Sequence, residues 1–178
     1  MIELYPYSIN DGMPSMRDTE LLGLYKTMEM EKNLDRVYYN MSHDDITPEW
    51  WTWYMKERCQ LFVILESRPE EKREIIGIVW LNHIVGRKAD IHYCMFKPAW
   101  GRASDICAKV MKMLFDQTEV DCFVALIPEY NHRAVGKPVE YGFKSSAILK
   151  KACYIATLGK SVNGHQYTMA RRGNKKKE

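Results

Sequence analysis

Three runs of β-type residues stand close together between Gln60 and Phe96: Leu61-Phe-Val-Ile-Leu65, Ile75-Ile-Gly-Ile-Val-Trp-Leu81 and Ala89-Asp-Ile-His-Tyr-Cys-Met-Phe96. The charged turn Arg68–Arg73 separates the first two, and a short polar stretch separates the second from the third. A parallel neighbour is reached only through a crossover of roughly a dozen residues or more, usually a helix, so strands joined this tightly run antiparallel. The chain is therefore expected to build around an antiparallel meander.

Helical patterns flank this block. Leu21, Leu22, Leu24, Tyr25 and Met28 recur at helical spacing and predict a helix within Ser15 to Lys32. Thr47-Pro48-Glu49 is a helix start, with a hydroxyl N-cap, proline at the first helical position and an acid in the positive first turn. The helix it opens carries Trp50, Trp51, Trp53, Tyr54 and Met55, which serve either as core or as the wall of a site. Pro98-Ala-Trp-Gly101 closes the meander, and a helix follows with Ile106, Val110, Met113 and Leu114 on one side. A strand Cys122–Ile127, a short helix near Asn131–Lys137, and a hairpin of Ile148–Leu158 with Gln166–Ala170 complete the chain. The hairpin is expected to turn around Gly159 and Asn163-Gly164. With a first strand at Ile2–Tyr7, the order is β, α, α, β, β, β, α, β, α, β, β. That is an α/β layout with a mixed, mostly antiparallel central sheet flanked by helices. No linker or repeat divides it, so residues 1–170 are expected to form one domain and residues 171–178 a basic flexible tail.

Charge narrows the function. The 178 residues carry 26 basic and 23 acidic groups, but the last eight hold five of the basic groups and one acid, leaving 21 against 22 on the rest. A near-neutral body argues against a nucleic-acid face, which needs clustered cations. No apolar run reaches the roughly 20 residues that span a bilayer, and no secretory pattern opens the chain, so no membrane partner is expected. Cys59, Cys94, Cys107, Cys122 and Cys153 are odd in number and sit within apolar segments, which fits free thiols in the reducing cytoplasm. His92 and Cys94 lack two further ligands at metal spacing, so no metal site is expected.

Five segments, Ile76–Leu81, Ala89–Tyr93, Pro98–Arg102, Asn131–Ala134 and Tyr141–Lys144, occur in the order and approximate spacing of the GNAT N-acetyltransferase superfamily. The chain from about Gln60 to Ala170 resembles that superfamily, and within it the ribosomal-protein N-terminal acetyltransferase type. The resemblance implies acetyl-CoA as cofactor and transfer of an acetyl group to an amine of a protein N-terminus, a lysine or a small molecule. It implies a strand near Met95 and Phe96 that bulges, offers a backbone amide to the thioester carbonyl, and splays from the strand at Leu126 and Ile127. It also implies that Trp100, Gly101, Arg102, Ala103 and Ser104 cradle the pyrophosphate at a helix N-terminus, with Asn131 nearby.

In the catalytic roles, Asp90 falls where the family often has a base, and His92 lies two residues on, on the same face. The competing reading of both is structural: ion pairing for Asp90, core or rim for His92. Pro138 stands where many members carry a tyrosine acid, so Tyr141 or Tyr130 would have to replace it, unless each merely packs. The phosphate loop also departs from the pattern, since Ala103 adds a methyl and Asp105 a negative charge, and Ser104 or Asp105 is a candidate N-cap. Three readings follow: an active acetyltransferase, a GNAT-like binding or structural protein without the cofactor, or, with the least support, a nucleic-acid-binding module working through the basic tail. The second would act through a protein-assembly partner or a second copy of itself, as a bacteriophage virion component does.

Overall fold

The computed structural model describes residues 1–67 and 72–171; the charged turn at 68–71 and the tail 172–178 lie outside the described residues. Seven strands form one sheet: β1 (Ile2–Pro6), β4 (Gln60–Glu66), β5 (Glu74–Val85), β6 (Lys88–Met95), β7 (Cys122–Pro128), β9 (Lys160–Ala170) and β8 (Lys144–Ile155), in that spatial order. β2 (Ile9–Asn10) and β3 (Met13–Pro14) make a separate small ribbon. The meander β4–β5–β6 is antiparallel, as the short connections require. Among the described residues only β6 and β7 run parallel, joined through the helix α4 (Ala103–Gln117).

Both faces of the sheet are covered. Strand alternation sends Phe62, Ile64, Val79, Leu81 and Ile91 to the face beneath α4, where Ile106, Val110 and Leu114 meet them. It sends Leu61, Val63, Ile78, Trp80 and Cys94 to the opposite face, under α1 (Asp18–Met30), the single-turn α2 (Leu34–Val37) and α3 (Pro48–Glu57). The start of α3 is as expected: Thr47 Oγ1 accepts from the Trp50 amide at 3.2 Å, with proline at the first position. Its tryptophans divide by helical geometry. Trp51 is fully buried, Trp50 stacks on Tyr54 at 5.0 Å, and Trp53 is exposed beneath Arg58.

Three expectations need correction. The short helix α5 is Lys137–Glu140, one turn later than expected, because Gly136 at φ +84° supplies the left-handed residue from which Pro138 can start it. Asn163-Gly164 lies inside β9 rather than in a turn; the reversal is made by Ala156–Leu158 and Gly159, at φ +59°. Gly164 is needed for closeness instead, since a Cβ there would stand 2.8 Å from Leu126 Cδ1 and 2.9 Å from Cys153 Sγ. Arg171, expected in the tail, is anchored. Its amide bonds the Asp121 carbonyl at 2.7 Å, and its guanidinium meets the Asp121 carboxylate and the Thr118 and Val120 carbonyls.

Candidate functional site

β6 and β7 pair over three residues only, Lys88–Asp90 against Cys122–Val124, and then separate. Each is held by its other neighbour: β6 stays on β5 out to Met95, and β7 stays on β9 out to Pro128. A gap opens between Ile91–Met95 and Ala125–Pro128, and a cavity of about 510 Å³ runs through it. That volume lies within the roughly 300–1,000 Å³ of small-molecule sites. The Phe96 amide donates to the Ile76 carbonyl at 2.9 Å, toward β5. By strand alternation the Met95 amide points the other way, into the gap.

Of the residues read from the sequence, His92, Met95, Trp100, Gly101, Arg102, Ala103, Ser104, Asn131 and Tyr141 line this cavity. Phe96 does not: its side chain is buried in the core on the α1–α3 face and its amide is spent on β5. The bulge expected at Met95 is absent from the β5–β6 register, which is regular there; its one shift falls at Asn82–Val85 on β5, where His83 takes a positive φ. None of Trp50, Trp51 and Trp53 reaches the cavity wall.

At the start of α4 the N-cap is Arg102, and neither Ser104 nor Asp105 caps the helix; both lie within its first turn. The Ala103 amide donates to the Trp100 carbonyl, and Trp100 Nε1 donates to the Met95 carbonyl at 2.8 Å. The Arg102 guanidinium is held in a two-pronged pair by Glu66 at 2.6 and 2.8 Å, so its charge is already countered. The Ser104 hydroxyl donates to Glu140, which also receives Lys137 Nζ at 2.7 Å. Among cavity cations on this side, Arg133 has no carboxylate partner among the described residues.

Asp90 lies outside the cavity, where β6 and β7 are still paired. Lys88 Nζ contacts one carboxylate oxygen at 2.7 Å and His83 Nδ1 the other at 3.1 Å. Burial raises the carboxyl's pKa, but these two hydrogen bonds outweigh it and hold the group below its ordinary value. Asp90 is thus an ion-paired strand carboxylate outside the cavity lining, an arrangement that favours its structural reading over that of a base.

His92 is different. Its ring stacks on Trp80 at 5.3 Å, and Nε2 meets Asn82 Oδ1 at 3.1 Å. Asn82, itself buried, donates through Nδ2 to the Tyr54 hydroxyl at 2.7 Å. With Asn82 so oriented, its oxygen accepts from His92 Nε2–H, which leaves Nδ1 with the lone pair. Burial pushes the imidazole down to about 4, against the opposing pull of Asp90, so the ring is neutral near pH 7. Tyr141 is buried edge-on to Tyr93 at 5.6 Å, and burial pushes its phenol up to about 12, so it keeps its proton. A neutral imidazole acceptor and a protonated phenol therefore line one cavity.

No family model and no curated protein matches the chain. Solved structures do. An acetyltransferase from Salmonella typhimurium that modifies the N-terminal serine of a 50S ribosomal subunit protein superposes with a TM-score of 0.71 at 14% identity, covering 96% of this chain and 95% of that one. The spermidine N-acetyltransferase of Vibrio cholerae, solved with CoA and spermine, gives 0.68 at 15% identity over 95% of each chain. A ribosomal-protein α-N acetyltransferase in complex with coenzyme A gives 0.69 at 14% identity over 95% of this chain and 93% of the other. The chain has the GNAT fold.

Within that fold, the opposite wall of the cavity went unread in the sequence. Asn33, Arg36, Val37 and Tyr39 line it, from α2 and the residues around it. A helix of four residues has no periodicity to detect, so nothing in the spacing marks Arg36. Arg133 was legible in principle, as a cation inside the Asn131–Ala134 segment that carries the GNAT resemblance.

Proposed function

We propose that the protein is an N-acetyltransferase that moves an acetyl group from acetyl-CoA to the nitrogen of an amine. The observation that carries this reading is the gap between β6 and β7, where one strand edge is left without a partner strand and its Met95 amide faces a cavity. When bound, acetyl-CoA supplies the acyl carbon: a nitrogen–carbon bond forms, the carbon–sulfur bond breaks, and the amine's proton ends on sulfur. An extended thioester arm fits an unpaired strand edge, because it can take the hydrogen bonds a neighbouring strand would have taken. In this reading the Met95 amide polarises the acyl carbonyl, His92 Nδ1 receives the amine's proton, and Tyr141 returns one to the departing sulfur. The phosphate end fits less closely, since Arg102, Ser104 and Lys137 are engaged and Asp105 is anionic; Arg133 is the cation left to serve it. Neighbours that act on protein N-termini and on spermidine support an amine acceptor.

The engaged Arg102 and Ser104 are the one observation favouring a cofactor-free binding protein, and none of the compared structures lends weight to a bacteriophage role. No described helix is long and apolar enough to cross a membrane. Calorimetric titration with acetyl-CoA, coenzyme A and ATP separates the two readings. The enzyme binds acetyl-CoA at micromolar concentration in preference to ATP, and Arg133→Gln weakens that binding about tenfold through loss of a charged phosphate contact. Absence of heat at millimolar acetyl-CoA would establish the binding-protein reading instead.

A further inference from the structure

The two walls of the cavity differ in charge, and each belongs to one face of the sheet. Arg102, Arg133, Lys137 and Asp105 come from α4 and the segment around α5, on the face where Met95, Tyr93 and Tyr141 join the α4 core. Arg36 comes from α2 on the other face, with His92 and Cys94. It is the only charged residue of that wall, and its guanidinium has no carboxylate partner among the described residues.

Three carboxylates near this wall have hydrogen-bond partners other than Arg36. Glu31 accepts from the Lys97 amide at 2.9 and 3.1 Å and from Asn33 Nδ2 at 3.2 Å. Asp35 is held by His43 at 3.2 Å, and Glu129 accepts from Asn163 through both its amide and its Nδ2. A polyamine carries further ammonium groups that need anions, and in the cavity itself this wall offers them the Arg36 guanidinium and no carboxylate.

Resting on the acetyltransferase reading, we infer that the acceptor is a small primary amine bearing a carboxylate or a phosphate a few bonds from its nitrogen. Arg36 takes the anion, and the nitrogen is directed toward His92 and the gap. The transfer balances as in the proposed reaction: the nitrogen bonds to the acyl carbon, the carbon–sulfur bond breaks, and the amine proton passes to sulfur. Arg36 is a specificity residue, because the anion it binds takes no part in that exchange.

The test measures coenzyme A release with matched amines at equal free-base concentration and ionic strength: O-phosphoethanolamine against ethanolamine, β-alanine against β-alaninamide, and spermidine. The expected kcat/KM favours at least one anionic member over its uncharged mate by about tenfold or more, and which pair responds tells phosphate from carboxylate. Arg36→Gln reduces that ratio to near one while the acetyl-CoA Kd stays within about twofold of wild type. Preference for spermidine or for the uncharged mates, with acetyl-CoA still bound, overturns the acceptor assignment and leaves the acetyltransferase reading standing. If acetyl-CoA fails to bind, that reading falls and the wall is tested directly by titrating O-phosphoethanolamine against ethanolamine. Binding of the anionic amine that Arg36→Gln abolishes supports Arg36 as the anion site while the acceptor role falls with the reading, and equal binding of the two overturns both.

Discussion

Asp90 and His92 share one face of β6, and their neighbours separate their chemistry. Lys88 and His83 fix the Asp90 carboxylate, whereas Trp80, Asn82 and Tyr54 hold His92 neutral with one nitrogen open. His92→Gln should therefore lower kcat by about a hundredfold or more with little change in acetyl-CoA affinity, while Asp90→Asn stays within about threefold of wild type. Equal losses in the two variants would remove His92 from the mechanism. The same substitution has a stability signature. The folded His92 titrates at about 4 against an ordinary 6.5, so between those values the unfolded chain binds a proton that the folded chain refuses. Stability tied to His92 is thus complete above about pH 6.5 and lost as the pH falls toward about 4. Urea unfolding at pH 7 and pH 4.5 should show a smaller drop for His92→Gln than for wild type, and identical drops would contradict the buried, neutral ring. The sequence could place both residues on one face by period-two alternation, but it could not choose between them. The choice depends on His83, which a bulge 7 residues away brings to Asp90, and bulges leave no mark in a hydrophobic pattern.

The elements themselves were largely legible, since the meander, α1, α3 and α4 follow from spacing, capping and connection length. What escaped was anything without a period: α2, the β2–β3 ribbon and the bulges of β8. Glycines were misread in the same way, because Gly164 was assigned to a turn for its backbone freedom when the structure uses its small size. Gly77 follows that second logic on β5. A Cβ there would lie 2.8 Å from the Cys94 carbonyl and 3.0 Å from Met95 Sδ, and the first of these is backbone that cannot swing aside. Gly77→Ala should cost about 1–3 kcal/mol of stability by overpacking, and it should also weaken acetyl-CoA binding because the strand it displaces carries Met95. Unfolding midpoint and calorimetric Kd measured on one preparation check both effects. A destabilised variant with unchanged affinity would mean that the gap does not depend on the β5–β6 spacing.

At the scale of the molecule, the sheet is a β1–β4–β5–β6 half and a β7–β9–β8 half joined by one short parallel pairing. This seam could be anticipated only through the resemblance, because the sequence shows two strands and a crossover helix, not where their pairing ends. A ligand lying in the gap would bridge the halves and so act on both. At about 100 times its Kd, acetyl-CoA should add about 2.7 kcal/mol by mass action, which for a chain of this size raises Tm by about 5–10 °C. The distribution of protection is the sharper test. Amide exchange should slow on both borders of the gap, Ile91–Met95 and Ala125–Pro128, because an arm seated between them takes hydrogen bonds on one strand edge and excludes water from the other. Slowing confined to the start of α4 would show the nucleotide end bound without an arm between the strands, and the gap would then have to be explained by something other than acetyl-CoA.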